Sequence, residues 1–281
     1  MKVMIIGTGT MGTGIAQLMM CAANVTQLFV YSRNQERSAL AVNTAISNIQ
    51  RLINKGKLSS DIIDIVQAKS NATSSLDIAS EVDLVIEAVS ECQQTKDTLI
   101  QSISGYLNDK TIFATNTSSL SVTSLGANLK YPANAVGLHF FNPAPVMELV
   151  EIVKGFVTSD DVIETMVRFA TELNKKPVVV NEGPGFVVNR MLIPMINEAI
   201  SILADDVATK EDIDKSMMLG AHHPMGPLKL SDLIGNDVVL SIMDVLYQET
   251  GDSKYRATPL LRKMVRANYL GRKTKQGFYS Y

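Results

Sequence analysis

Cysteine is scarce in this chain, and tryptophan is absent. The 281 residues include two cysteines, Cys21 and Cys92, and neither lies in a Cys-x-x-Cys pair. This excludes a disulfide framework and a thiolate-rich metal site, and it favours a reducing compartment such as the cytoplasm. Because Cys21 lies between Met20 and Ala22, we predict that its thiol is a small group of the buried core.

The chain also lacks an excess of charge and any long apolar run. Its formal net charge is −2, so nothing indicates a nucleic-acid-binding surface or a polybasic patch for membranes. No uninterrupted apolar segment reaches the ~20 residues that a membrane-spanning helix needs. Met1 leads directly into a predicted strand, so we expect no signal peptide or transit segment. We therefore expect a cytoplasmic protein that binds neither nucleic acid nor membrane.

Histidine is almost as rare, and two of the three are adjacent. His222-His223-Pro224 lies in a turn-forming segment without the helical spacing or the nearby Cys or carboxylate cluster of a metal site. We expect no metal.

What the sequence does have is a glycine loop at its start. The apolar run that ends at Ile6 suits a buried parallel strand. Gly7-Thr8-Gly9-Thr10-Met11-Gly12 follows, and Ile15-Ala16-Gln17-Leu18 continues as a helix. Gly7 permits a tight turn, Gly9 lets a pyrophosphate approach the backbone, and Gly12 lets the helix pack on the strand. Such a loop also occurs for packing reasons alone. The order of strand, loop and helix predicts a dinucleotide site with phosphates at the helix N-terminus.

Strand and helix patterns alternate through the first two-thirds of the chain. Further strands are predicted at residues 26–31, 70–73, 82–87, 111–115, 134–139, 147–153 and 177–180, and helices at 34–55, 59–69 and 160–173. This alternation predicts an α/β fold with a parallel, doubly wound sheet.

The pattern changes at residues 181–185, where two glycines and a proline interrupt the chain. Helices are predicted beyond it at 191–203 (with a kink at Pro194), 210–219, 229–249 and 259–268. We place a domain boundary near 182, between a dinucleotide-binding domain at 1–182 and an all-α domain at 183–281. The apolar surface of the second part favours a homodimer; the alternative is a monomer whose C-terminal helices pack on the first domain.

His139 ends a predicted strand, where open α/β sheets bind their ligands. If the chain folds back around Pro145, Glu151 meets the His139 ring. A carboxylate on one imidazole nitrogen fixes the tautomer and leaves the other nitrogen to exchange a proton with a substrate. The alternative is a core histidine beside a surface glutamate.

Two polar positions are further candidates. Asn116-Thr117-Ser118-Ser119 follows the predicted strand at 111–115, and its amide and hydroxyls suit a carbonyl oxygen. Equally, Thr117 or Ser118 could cap the next helix. Asn189 lies four residues after Gly185, where it could face a ligand or only cap a helix or bridge the domains.

Together these motifs resemble the 3-hydroxyacyl-CoA dehydrogenase family, in particular its short stand-alone bacterial members that act on 3-hydroxybutyryl-CoA. The resemblance covers essentially the whole chain. The segments that carry it are Gly7–Gly12, Val85-Ile86-Glu87-Ala88, Asn116–Leu120, Gly137-Leu138-His139-Phe140-Phe141-Asn142-Pro143, Pro184-Gly185-Phe186-Val187-Val188-Asn189-Arg190, Asn197-Glu198-Ala199, Glu211–Asp214, His223–Pro227, Gly271–Lys273 and Gly277–Tyr279.

The resemblance implies that His139 is the catalytic acid/base and Glu151 its orienting partner. It implies that Ser118 and Asn189 bind the substrate carbonyl, and that the second domain is a helical substrate and dimerisation domain. The residues assigned to the cofactor are Gly7, Gly9, Thr10, Met11, Gly12, Ser32, Arg33, Asn116 and, near the nicotinamide, Glu91 and Lys96.

The chain departs from the family's NAD-type pattern after the second strand. An NAD-preferring member carries an acidic residue there, which accepts hydrogen bonds from the adenosine ribose. This chain has Ser32 at that position, followed by Arg33. A hydroxyl and a guanidinium would bind a 2′-phosphate that an acid would repel. A cation near a helix N-terminus also opposes the helix dipole, so a binding role explains Arg33 better than a solvated surface role. We expect NADP(H) to be preferred, with NAD(H) possible.

We therefore expect an (S)-specific enzyme that interconverts acetoacetyl-CoA and 3-hydroxybutyryl-CoA. The alternatives are an NAD-dependent family member of broader chain length, a dehydrogenase of free β-hydroxy acids, which relies on a catalytic lysine, and a cofactor-binding protein without catalysis. Lys55 and Lys57 could meet the phosphates of CoA, or they are solvated turn residues.

Overall fold

A computed structural model describes all 281 residues, which form two compact units at residues 1–182 and 183–281. The strands of the first unit are β1 (Lys2–Ile6), β2 (Gln27–Tyr31), β3 (Ser70–Thr73), β4 (Leu84–Glu87), β5 (Ile112–Thr115), β6 (Ala135–Phe140), β7 (Leu149–Lys154) and β8 (Lys176–Asn181). Its helices are α1 (Thr10–Cys21), α2 (Gln35–Asn54), α3 (Ile62–Lys69), α4 (Gln93–Ser104), α5 (Val122–Gly126) and α6 (Asp160–Glu172), with 3₁₀ turns at Asp77–Glu81 and Pro132–Asn134.

The eight strands form one sheet in the order β3-β2-β1-β4-β5-β6-β7-β8. All neighbouring pairs are parallel except β6 and β7, which are antiparallel. The α/β prediction is confirmed, with this one correction to the parallel sheet. Its cause is the short connection at residues 141–148, because a parallel pair needs a crossover of about a dozen residues or more.

Both faces of the sheet are buried, which explains the continuous apolar strands. Val3 and Ile5 of β1 pack in a cluster with side chains of α1, α2 and α6. Met4 and Ile6 point to the opposite face and pack with side chains of α4 and α5. Because β1, β4, β5 and β6 run in the same direction, their carboxyl ends lie at one edge of the sheet.

The prediction that Cys21 is buried is wrong. Its side chain is exposed at the end of α1, whereas Met19 and Met20 are buried. At 100° per residue, Cys21 lies on the opposite side of the helix from the face that Ile15, Ala16 and these methionines share.

The second unit is helical. It contains α7 (Val188–Ala204), α8 (Lys210–Gly220), α9 (Pro227–Ile234), α10 (Asn236–Thr250) and α11 (Pro259–Arg266), with 3₁₀ turns at Ser253–Tyr255 and Arg272–Thr274. Ile196, Leu228, Met243 and Leu261 are completely buried in its core. None of the helices in either unit has the length and apolar character needed to cross a bilayer.

The helix predicted over 229–249 is two helices, α9 and α10. Gly235 separates them with a φ of 106°, a conformation that a helix cannot continue through and that side-chain-bearing residues rarely adopt. By contrast, α7 continues through Pro194.

Candidate active site

A cavity of about 880 Å³ lies at the carboxyl edge of the sheet, beside the start of α1. Six predicted cofactor residues line it, namely Gly7, Gly9, Thr10, Met11, Ser32 and Arg33. The parallel pairing of β1 with β2 explains how loops about twenty residues apart reach one cavity. The structure therefore brings the glycine loop and the positions that would select the cofactor together.

The three glycines of the loop differ in their surroundings. Gly7 has a φ of 124°, as the tight turn requires, and a Cβ at Gly12 would lie 2.1 Å from the carbonyl oxygen of Gly7. A Cβ at Gly9 would meet nothing within 4 Å. Packing therefore leaves no room for a side chain at Gly7 and Gly12. At Gly9 the space beside the backbone is free, so a ligand can approach it there.

The N-terminus of α1 has the features of an anion site. Gly9 is the N-cap, and no side chain caps the helix. The N–H groups of the first turn have no partner within a helix, and the helix dipole favours negative charge beside them. Because the cavity is lined by this helix start and the glycine loop, a pyrophosphate is the anion that suits it.

Ser32 and Arg33 lie between β2 and α2, where Asn34 caps the helix. The Asn34 Oδ1 atom accepts a hydrogen bond from the Arg37 backbone N–H at 3.1 Å, and the Asn34 N–H donates to Ser32 Oγ at 3.3 Å. The cap itself is therefore supplied by Asn34. Arg33 and Arg37 are exposed and line the same cavity, so two cations lie at its end.

A second cavity, of about 1130 Å³, shares Thr8, Gly9, Thr10 and Arg37 with the first. The face of α2 and the turn at residues 142–146 form its walls, and Arg51 and Lys57 add further positive charge. Arg51 was not predicted as a site residue. Its position one turn from the end of a predicted helix, beside the lysines of the hairpin, could have indicated a basic site. Lys55 does not line this cavity.

His139 and Glu151 are partners across the antiparallel β6–β7 pair. The Nδ1 atom of His139 lies 2.8 Å from Oε2 of Glu151, and the two residues are 6% and 1% exposed. At this distance the Glu151 carboxylate can accept a hydrogen bond from a proton on Nδ1. The ring of Phe141 packs against the imidazole at a centroid distance of 4.5 Å. The fold-back predicted around Pro145 is present.

Glu91 joins the loop after β4 to the loop after β5. Its Oε1 atom accepts from Thr117 Oγ1 at 2.6 Å, from the Ser118 N–H at 2.7 Å and from Ser118 Oγ at 3.2 Å. Burial alone would raise the pKa of Glu91, but the Lys96 ammonium and the hydrogen bonds from Thr117 and Ser118 outweigh it and hold that pKa below its usual range.

Lys96 is 1% exposed and is not among the lining residues of the cofactor cavity. Its Nζ atom lies 2.7 Å from both carboxylate oxygens of Glu87 and 3.4 Å from Oε2 of Glu91. Glu87, at the end of β4, is completely buried. No separate role was predicted for Glu87, although a charged residue that ends an apolar run was a visible signal.

Asn116 and Thr117 have structural contacts. The Asn116 Oδ1 atom accepts from the Phe140 N–H at 2.9 Å, which joins the ends of β5 and β6. Thr117 is buried and accepts from the Leu120 N–H. Neither Thr117 nor Ser118 caps the next helix, because Ser121 is the N-cap of α5. Asn116, Glu91 and Gly12, like Lys96, do not line the cofactor cavity.

Asn189 is the second residue of α7 in the second unit. His222 and His223 lie between α8 and α9. No group of three or more His, Cys, Asp or Glu side chains is arranged to hold a metal ion.

Comparisons with known proteins give a consistent result over the whole chain. The model of the NAD binding domain of 3-hydroxyacyl-CoA dehydrogenase matches residues 2–183, and the model of its C-terminal domain matches residues 185–281. A 3-hydroxybutyryl-CoA dehydrogenase of Clostridioides difficile is 49% identical over 282 residues, which cover 100% of this chain and 99% of the relative.

Two further proteins agree. A 3-hydroxybutyryl-CoA dehydrogenase of Bradyrhizobium diazoefficiens is 42% identical, with 100% of this chain and 95% of the relative covered. The crystal structure of (S)-3-hydroxybutyryl-CoA dehydrogenase from Ralstonia eutropha superposes with a TM-score of 0.94 at 42% identity, covering 100% of this chain and 98% of that one.

Proposed function

This chain belongs to the 3-hydroxyacyl-CoA dehydrogenase family, and we propose that it interconverts acetoacetyl-CoA and (S)-3-hydroxybutyryl-CoA with NADP(H). The family makes it a nicotinamide-dependent oxidoreductase. The relatives named above support the four-carbon substrate and, through one of them, the (S) configuration.

The observation that carries the proposal is the His139–Glu151 contact. Glu151 holds Nδ1 of the imidazole at 2.8 Å, and we assign proton exchange with the substrate oxygen to Nε2. In the reductive direction His139 would donate a proton to the oxygen of the 3-keto group; the chemistry that a nicotinamide would supply when held by the residues of the cofactor cavity is hydride transfer to C3. In the oxidative direction His139 takes the hydroxyl proton.

Ser118 is our candidate for stabilising the charge that develops on that oxygen. Its backbone N–H and hydroxyl both donate to Glu91 Oε1, which orients the residue before a substrate binds. To stabilise the substrate oxygen, the hydroxyl hydrogen would turn from Glu91 to that oxygen. A hydroxyl that donates to the oxygen on which charge develops stabilises the transition state. Asn189 is a second candidate on the family resemblance alone.

The cofactor cavity supports a dinucleotide with a 2′-phosphate. The open backbone at Gly9 and the uncapped start of α1 suit the pyrophosphate. Ser32, Arg33 and Arg37 line the same cavity without any carboxylate among its lining residues. We propose a preference for NADPH over NADH on this ground. We place Glu91 and Lys96 near the nicotinamide. Because Lys96 is buried, it would act there through its contact with Glu91.

The second cavity supports an acyl-CoA. Three cations line it, Arg37, Arg51 and Lys57, and it adjoins the glycine loop. These guanidinium and ammonium groups suit the phosphates of CoA. We further propose that the helical unit forms a homodimer and that the protein acts in the cytoplasm.

A spectrophotometric assay tests the proposal. The purified protein should oxidise NADPH when acetoacetyl-CoA is added, and chiral analysis of the product should give the (S) alcohol. Free acetoacetate should not be reduced at a comparable rate. Turnover of free acetoacetate, or faster turnover with NADH and longer acyl chains, would favour one of the alternative dehydrogenases. No turnover with either cofactor would contradict the proposal.

A further inference from the structure

A buried lysine lies between two carboxylates beneath the loop that carries Ser118. Lys96 projects from α4, Glu87 ends β4, and Glu91 lies in the loop between these elements. The Lys96 Nζ atom is 2.7 Å from each oxygen of Glu87 and 3.4 Å from Oε2 of Glu91. The ammonium is therefore shared unequally, with Glu87 as its main partner.

Glu87 has its hydrogen-bonding sites occupied. Its Oε1 atom accepts from the Val89 N–H at 2.7 Å, and its Oε2 atom accepts from Thr115 Oγ1 at 2.7 Å, in addition to the two contacts with Lys96. Its own exposure is zero. Three donor groups make four contacts with this inaccessible carboxylate and fix its position, and through Lys96 it acts on the other carboxylate that the ammonium contacts.

The second carboxylate connects this cluster to the site. Glu91 faces Lys96 with Oε2, while its Oε1 accepts from the Ser118 N–H, the Ser118 hydroxyl and Thr117 Oγ1. The position of Ser118 therefore depends on Glu91, and the position of Glu91 depends on how strongly Lys96 attracts it.

We propose that Glu87 is a positioning residue for the reaction, which acts through Lys96 and Glu91 to hold Ser118 in place. The inference rests on the proposed function, in which Ser118 binds the substrate oxygen. Glu87 binds the Lys96 ammonium and so limits how strongly the ammonium attracts Glu91. Glu91 then keeps its Oε1 atom on Ser118.

The variant Glu87→Gln tests this step. Glutamine has the shape of glutamate but lacks the charge, so Lys96 loses its main partner and turns to Glu91. Glu91 then shifts, and Ser118 shifts with it. We expect kcat/KM for acetoacetyl-CoA to fall about tenfold, within the range for coupled contacts in one network.

A double-mutant cycle separates positioning from general destabilisation. Ser118→Ala alone should lower kcat/KM by about a hundredfold, as loss of an oxyanion donor does. With NADPH saturating, so that any effect of Lys96 and Glu91 on cofactor binding is removed from the comparison, Glu87→Gln should lower kcat/KM for acetoacetyl-CoA by less than about twofold in the Ser118→Ala background, because the hydroxyl that it positions is gone. The melting temperature should still fall by the same amount in both backgrounds.

Lys69 provides a matched control. It is also a buried lysine of the first unit, and its ammonium binds the carbonyl oxygens of Ala22 and Val25. Lys69→Met should destabilise the fold. Any factor by which it lowers kcat/KM should be the same in the wild-type and Ser118→Ala backgrounds.

Thr115→Val provides a second route if Glu87→Gln does not fold. It removes one hydrogen bond to Glu87 and keeps the charges. We expect a fall of about two- to threefold that also disappears in the Ser118→Ala background. If the loss caused by either variant multiplies with that of Ser118→Ala, the positioning role of Glu87 is overturned, while the assignment of Ser118 still stands. A wild-type rate for Ser118→Ala would instead overturn the assignment of Ser118, and this inference with it.

Discussion

His139 and Glu151 are twelve residues apart in sequence and directly opposite each other in the β6–β7 register. Their side chains lie on the same face and meet at 2.8 Å. A slip of one residue would place them on opposite faces of the sheet. The pairing of the two strands therefore determines the geometry of the proposed acid/base pair.

Replacement of His139 by alanine removes the group that we assign to proton exchange. We expect kcat to fall by roughly 10²–10⁴, the scale of general acid–base assistance. NADPH binding, measured by fluorescence titration, should change little because His139 does not line the cofactor cavity. A folded variant with near-normal turnover would show that another residue transfers the proton.

Replacement of Glu151 by glutamine tests whether it acts through His139. The amide retains the shape of the side chain but cannot hold the imidazole as a carboxylate does, so kcat should fall. In the double variant with His139→Ala the rate should equal that of His139→Ala alone within about twofold, because residues that act as a unit are not additive.

Glu148→Gln is the control for that experiment. Glu148 pairs with Lys176 on the surface, with its side chain 66% exposed, and the variant should turn over at the wild-type rate. Losses for His139→Ala and Glu151→Gln that multiply would mean that Glu151 contributes only to the fold.

Glu91 makes stability depend on pH. Its pKa is lowered in the folded protein from an ordinary value of 4.5. A lowered carboxyl pKa stabilises the fold in full above the unfolded-state value, and this stabilisation is lost as the pH falls through the folded-state value. Glu91→Gln should therefore be less stable than the wild type at pH 7, and the difference should begin to shrink as the pH falls below 4.5 and close once it has fallen through the lower folded-state pKa.

Urea unfolding of both proteins at a series of pH values measures this difference. Other titrating groups that contribute equally to both proteins cancel in the difference between the two free energies of unfolding. A difference that stays constant from pH 7 to acid pH would mean that the hydrogen bonds to Glu91 do not depend on its charge.

Most of the sheet could be predicted from the sequence, and the reasons for the exceptions are physical. The strand predictions agree with the structure within two residues, because buried strands are apolar without interruption and glycine or polar turns bound them. The helix predicted over 229–249 included Gly235 because a positive φ cannot be recognised from the sequence. The antiparallel direction of β7 is set by the short connection that precedes it, and the composition of the strand does not indicate that direction.

The site was predictable where chemistry is local. The glycine loop and Ser32 with Arg33 come together in one cavity as expected. The burial of Lys96 and the network around Glu87 were not predicted, because they depend on which side chains two neighbouring strands and a helix bring together. A lysine that follows a loop gives no sign in the sequence that it points inward.

The choice of cofactor is the sharpest test of the departure at Ser32 and Arg33. We expect kcat/KM with NADPH to exceed that with NADH by about tenfold or more, because one charge-assisted hydrogen bond contributes roughly 1.5–3 kcal/mol. The double variant Ser32→Asp/Arg33→Ile should reverse the preference, since its carboxylate repels a 2′-phosphate and accepts from the ribose hydroxyls. Steady-state kinetics with both cofactors at low salt measure the ratio.

Two further variants complete that experiment. Arg37 lines the same cavity, so adding Arg37→Met to the double variant should lower NADPH use further if both guanidinium groups hold the phosphate. Arg168→Ile removes an exposed cation on α6, away from the cavity, and should leave the cofactor ratio unchanged. If the wild type uses NADH as well as NADPH at low salt, Arg33 is a surface residue. The family's NAD-type preference would then hold here without the acidic residue, and Ser32 alone would have to meet the ribose.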